Sequence, residues 1–115
     1  MIKVVSYSTP RFLFPIVGEL KDGIYIFDNK EYHLSRHGFA RDKMFEAKQT
    51  AATSATFTLH SDAATLAVYP FQFIFQVKYE IKQTMLFCSY IVQNVNDVDM
   101  YFSVGGHHAF RVPLK

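Results

Sequence analysis

Two histidines directly after two glycines, in Met100-Tyr-Phe-Ser-Val-Gly-Gly-His-His-Ala-Phe110, form the stretch of this chain best suited to proton chemistry. With a reference pKa of about 6.5, an imidazole can donate or accept a proton at neutral pH. Gly105 and Gly106 lack a Cβ, which permits positive φ or a close approach of the backbone to another group. A histidine just after such a break can be held out from a strand end towards a cleft. On spacing alone, the plain reading is a Gly-Gly turn with two solvated histidines. His37, in Ser35-Arg36-His37-Gly38, reads on the same terms as a loop residue bonded to a neighbouring carbonyl. Arg41 reads as a solvated charge paired with Asp42 or Glu46. His33 lies four residues before His37, a spacing that pairs ligands on a helix, but Gly38 and the surrounding hairpin pattern argue against a helix.

Such residues need strands and turns to position them. The strongest signal is Phe71-Gln-Phe-Ile-Phe-Gln-Val-Lys-Tyr-Glu-Ile-Lys82, in which Phe71, Phe73, Phe75, Val77, Tyr79 and Ile81 alternate with mainly polar residues. A period of two puts one apolar face on a core and one polar face outward. A slip by one residue would turn the whole stripe to the wrong face, so its register is well specified and the stripe is core. Met85 to Val95 is the next strand, apolar on both faces and so expected to be central. Asn96-Asp97 turns the chain into a run over Met100–Val104, and Arg111-Val-Pro-Leu closes it.

Upstream, Gly23-Ile-Tyr-Ile-Phe27 and Glu31-Tyr-His-Leu34 flank Asp28-Asn29-Lys30 as a β-hairpin. Phe12-Leu-Phe-Pro-Ile-Val17 is apolar but broken by Pro15, which cannot donate to a central ladder; an edge strand or a buried loop fits. Lys43 to Thr53 has helix-forming composition with poor apolar spacing, so Phe45–Lys48 and Ser54–His60 are read as strands. Ser61-Asp-Ala-Ala64 is a loop, and Thr65–Val68 is short and extended. The fold class is all-β, with antiparallel strands joined by short turns.

A chain of 115 residues is a single domain. Half its residues are hydrophobic and 17% are aromatic, which excludes disorder and favours a pleated, half-buried surface. The formal charge is +2 with Lys and Arg scattered, so no basic patch points to a nucleic-acid partner. Cys88 is the single cysteine; its setting in Met-Leu-Phe-Cys-Ser-Tyr suggests a small buried side chain. Met1-Ile-Lys-Val-Val lacks the apolar core of a signal peptide. No apolar run approaches the roughly 20 residues needed to cross a bilayer. The expectation is a soluble, cytoplasmic protein without a membrane partner.

Phe102-Ser-Val-Gly-Gly-His-His-Ala-Phe110 resembles the FSxGGHPAF segment of the aldose 1-epimerase (galactose mutarotase) family. His37-Gly-Phe-Ala-Arg41 is similar to the HGFAR segment of a bacterial branch of that family. Phe14-Pro-Ile-Val-Gly18, Tyr69-Pro-Phe71 and Asn94 before Met100 fall in the family's order. The resemblance runs from Phe12 to Leu114 and leaves residues 1–11 unmatched. It implies an antiparallel β-sandwich, of which this chain resembles only the middle portion of a galactose mutarotase-like supersandwich. It also implies interconversion of the α and β anomers of an aldose. A carboxylate base takes the proton of the anomeric hydroxyl while a histidine protonates the ring oxygen. The ring opens, the aldehyde rotates, and closure reverses both transfers. In that reading His107 is the general acid and His37 resembles the first active-site histidine, the one that holds the sugar ring. Arg41 is a substrate-binding donor to a ring hydroxyl, or to phosphate in a sugar-phosphate branch. The partner is a small-molecule sugar, and no cofactor or metal is implied.

Three departures bear on activity. His108 stands where relatives have Pro, which frees a backbone N–H and relaxes φ beside the acid. Glu19 occupies a position where relatives carry a sugar-binding Arg. The family's base is a Glu from a late strand beyond the portion resembled, and no Asp or Glu here lies in a matching motif. The expectation is half an active site, inactive as this chain alone, with open strand edges that favour association between copies. Two other readings stand beside it. One is a non-catalytic sugar-binding β-module. The other is a cupin-like metal site at His37, His107 and His108; zinc or iron wants three or four converging ligands. Adjacent histidines on an extended chain point to opposite sides, so no metal is assigned.

Overall fold

A computed structural model of the chain describes residues 11–108. In chain order its strands are β1 (Arg11–Leu13), β2 (Ile24–Phe27), β3 (Lys30–His33), β4 (Glu46–Ala51), β5 (Ser54–His60), β6 (Phe73–Lys82), β7 (Met85–Asn94) and β8 (Gly105–His107). One short helix, α1 (Ala63–Val68), precedes β6, and 3-10 turns lie at Lys21–Gly23 and Ala40–Asp42. The strands form a four-stranded sheet in the order β4-β5-β6-β7, the hairpin β2-β3 and the ribbon β1-β8. Every one of these strand pairs is antiparallel.

The alternation read along β6 decides where the core lies. Phe73, Phe75 and Val77 are buried on one face, with Phe71 just ahead of the strand. They gather Phe12, Phe14, Leu34, Phe39, Leu59 and Tyr69 into one cluster. Phe14 stacks on Phe75 at 4.7 Å between centroids and meets Phe73 edge-on at 5.0 Å. Offset and edge-on contacts of this kind suit the ring quadrupole better than face-to-face sandwiches.

The hairpin is tighter than a three-residue turn. Phe27 pairs with Lys30, so only Asp28 and Asn29 turn the chain, at φ 50° and 60°. Two left-handed residues match the twist of the flanking strands, and Asp and Asn enter that region at the least cost among non-glycines. The hairpin is tied down by Tyr25, whose hydroxyl donates to the Val68 carbonyl at 2.6 Å.

Three elements differ from the sequence reading. Residues 65–68 are helical, not extended, because Asp62 and Thr65 form a reciprocal capping box. The Asp62 carboxylate accepts from the Thr65 N–H at 2.8 Å, and the Thr65 hydroxyl accepts from the Asp62 N–H at 2.9 Å. β7 is not central: it is the outer strand of the described sheet, with Met85, Leu86, Phe87 and Ile91 exposed. Residues 100–104 are irregular, and the ladder is formed instead by Gly105–His107 against β1. The Ser103 N–H bonds the Pro15 carbonyl and the Tyr69 hydroxyl bonds the Tyr101 carbonyl, so this run is held by single contacts. The closing run expected at Arg111–Leu114 lies outside the described residues.

Burial has a consequence at high pH. It pushes the Tyr25 phenol up to about 12, with the neighbouring Tyr32 adding to the effect. Burial likewise pushes Tyr90 up to about 12, helped by Cys88, and it raises Tyr69 and Tyr79 as well. A phenol with a raised folded-state pKa stabilises the fold fully below its unfolded value of about 10 and loses that contribution as pH rises through the folded value. We expect unfolding by base to set in between about pH 10 and 12. The tyrosinate absorbance of these residues should appear together with loss of structure. Full tyrosinate signal at pH 10 in a still-folded chain would contradict this.

Candidate active site

The site is built on the carbonyl of Phe14. That oxygen accepts from both the Phe39 and Ala40 N–H groups at 3.1 Å, which draws residues 37–41 against the end of β1. The chain enters this arrangement through two consecutive left-handed residues, His37 at φ 66° and Gly38 at φ 75°. Glycine fits the second of them without cost.

His37 is clamped by Gly18 at two points. Its backbone N–H donates to the Gly18 carbonyl at 2.7 Å, and its Nδ1 accepts from the Gly18 N–H at 2.9 Å. A neutral imidazole whose Nδ1 accepts carries its proton on Nε2. His37 is therefore oriented as a hydrogen-bond donor through Nε2.

Arg41 sits in the 3-10 turn that follows, and its Nη2 donates to the Arg36 carbonyl at 2.8 Å. Neither Arg36 nor Arg41 forms an ion pair among the described residues, so the expected pairing with Asp42 or Glu46 does not occur. His107 ends β8 opposite Arg11 of β1. Gly105 packs near Val17 and Leu13, where an added Cβ would come to 3.2 Å of the Val17 side chain.

His37, Arg41 and His107 line one open cleft of about 460 Å³, together with Leu13, Arg36 and Gly106. No Asp or Glu is among its lining residues. His108 does not join it: the ring lies on the other side of the chain, over Phe12 and Tyr79. The three histidines named for a metal do not converge, and no cluster of three or more His, Cys, Asp or Glu suited to a metal exists among the described residues. Glu19 is exposed beside Gly18 and does not line the cleft. A second concavity of about 450 Å³, lined by Tyr25, Phe71, Tyr101 and Phe102 among others, is mainly apolar and offers no acid or base besides phenols.

Sequence reasoning had Arg36 only as a possible phosphate donor beside Arg41 and gave Gly18 no role of its own. Arg36 directly precedes His37, so adjacency was a usable signal. Gly18 acts through its backbone, which no residue type announces.

The antiparallel sheets and this cleft define a galactose mutarotase-like β-sandwich. The chain superposes on the crystal structure of a galactose mutarotase related enzyme from Lactobacillus acidophilus with a TM-score of 0.86 and 43% identity, over 91% of this chain and 35% of that one. A galactose mutarotase-like protein from Lactobacillus casei matches with a TM-score of 0.82 and 37% identity, over 92% of this chain and 36% of that one. The family model for aldose 1-epimerase matches residues 7–115, and the chain belongs to that family. Protein LacX of Lactococcus lactis subsp. lactis is 31% identical over 108 residues, which cover 89% of this chain and 36% of that protein. The chain thus spans about a third of the length of these relatives. Among the described residues, no helix is long and apolar enough to cross a membrane.

Proposed function

We propose that this chain carries the acid and sugar-orienting half of an anomer-interconverting site. The observation that supports it is the meeting of His37, Arg41 and His107 in one cleft, with His37 set as a donor by Gly18. His107 would give a proton to the ring oxygen as the C1–O5 bond breaks, and take it back when the ring closes on the other face. His37 Nε2–H would hold a sugar oxygen in place, and Arg41 would donate to a second. The partner reaction, removal of the anomeric hydroxyl proton, needs a carboxylate that the lining residues do not supply. The chain alone is then a binder of aldoses that does not turn them over. Correctly placed acid–base groups contribute about 10²–10⁴-fold each, so losing one is decisive.

A second reading has its own observation. Two guanidinium groups without an opposing carboxylate give the cleft a positive character that suits a phosphorylated aldose, since Arg recognises phosphate through paired donors. β7, uncharged and the outer strand of the sheet among the described residues, also supports association between copies.

One set of measurements tests these readings. Freshly dissolved α-D-galactose, α-D-glucose and α-D-glucose 6-phosphate are followed by polarimetry with this chain and with His107→Ala, alongside light scattering for its mass. We expect no acceleration, while each bound sugar shifts the imidazole NMR signals of both His37 and His107. Tighter binding of the phosphate ester identifies the second reading. Sugars that leave both imidazoles unmoved refute the proposal. Acceleration that disappears in His107→Ala shows instead that a carboxylate is supplied, and a monomeric mass would place it within one copy.

A further inference from the structure

We propose that Tyr90 and His108 form a positioning pair that fixes the backbone on both sides of His107 and so aims its ring into the cleft. The role assigned to His107 rests on the reading above; the pairing itself rests on contacts. Tyr90, on β7, presses its hydroxyl against Gly106, where an added Cβ would overlap Tyr90 Oη and lie 3.2 Å from its Cζ. The same hydroxyl shares a hydrogen bond with His108 Nε2 at 3.2 Å. One phenol therefore touches the residue before His107 and the residue after it.

Both members are braced from the core. The Tyr90 ring stacks with Phe75 and meets Phe12 edge-on, each at 6.4 Å. The His108 ring meets Phe12 at 6.5 Å and Tyr79 at 6.2 Å, both edge-on, and Cys88 Sγ lies 3.9 Å from its Nε2. Side chains of neighbouring residues on an extended chain leave on opposite sides. Anchoring His108 over β6 and β7 thus turns His107 towards His37 and Arg41. A proline at position 108 would limit φ by its ring alone. Here the backbone is freer, and a side-chain anchor restores the restriction.

The pair is tested in the whole chain by imidazole NMR of Tyr90→Phe, His108→Ala, and Tyr90→Phe combined with His108→Pro. We expect the first two to keep a native amide spectrum and His37 signals, while the His107 ring signal broadens and its sugar-induced response weakens about three- to tenfold. The proline variant should restore a sharp His107 signal, because it limits φ without the hydrogen bond. A merely structural role would move His37 and His107 together and lower Tm alike in all three. An unchanged His107 signal in both Tyr90→Phe and His108→Ala overturns the proposal, as does failure of proline to restore it. If no sugar moves either histidine in the native chain, the functional reading fails, yet the sugar-free His107 line width still decides the pairing.

Discussion

Replacing Gly38 by alanine should cost about 3 kcal/mol or more of stability. Two separate penalties meet at this position. A residue with a side chain pays about 1–2 kcal/mol to hold a left-handed conformation, and Gly38 has φ +75°. The added Cβ would also overlap the Phe14 carbonyl and come within 2.8 Å of Pro15 Cδ. That carbonyl is the shared acceptor for Phe39 and Ala40, so moving it away strains two further hydrogen bonds, each worth about 1 kcal/mol net. Urea unfolding should show a lower midpoint with an unchanged slope. Gly18→Ala gives the comparison: φ is +92°, but nothing lies within 4 Å of its added Cβ. It should lose only the conformational part, about 1–2 kcal/mol. Equal losses at the two positions would refute the role given to the Phe14 carbonyl.

Phe75→Ala should cost about 3–5 kcal/mol, the usual range for emptying a buried aromatic site. Phe75 has no exposed surface and touches four rings, those of Phe12, Phe14, Phe45 and Tyr90. These come from three separate segments of the chain, so no single neighbour can collapse into the space. Because total stabilities of domains lie near 5–15 kcal/mol, much of the margin would go. Ile26→Ala, at a site 74% exposed, should stay within about 0.5 kcal/mol. A loss at Ile26 as large as that at Phe75 would mean the core has been misplaced.

Much of the fold could be read from residue order. The β6 stripe announced its buried face because a period of two has only one interpretation over so many residues. The hairpin declared itself through the polar Asp28-Asn29-Lys30 between two alternating arms. The helix at 63–68 escaped because its cause is a pair of side-chain bonds at Asp62 and Thr65, and 6 residues are too few to show a period of 3.6. β7 was misplaced because an apolar strand looks the same whether or not other chain lies beside it. For the candidate site, His37, Arg41 and His107 were singled out through family motifs; spacing alone could not join His107 to the other two. Their assembly depends on β1 pairing with β8 and on the Phe14 carbonyl, both tertiary facts. The turn of His108 onto Tyr90 was likewise invisible, since it depends on which strand passes beneath.

The pair of hydrogen bonds accepted by the Phe14 carbonyl also bears on how a ligand would be received. The ring of Phe14 is wholly within the core, while its oxygen organises residues 37–41. Loosening that loop would therefore mean disturbing the core, so its order is already established before anything binds. A ligand entering beside His37 would pay little of the ordering entropy that a mobile loop exacts, and its affinity would reflect contacts more directly.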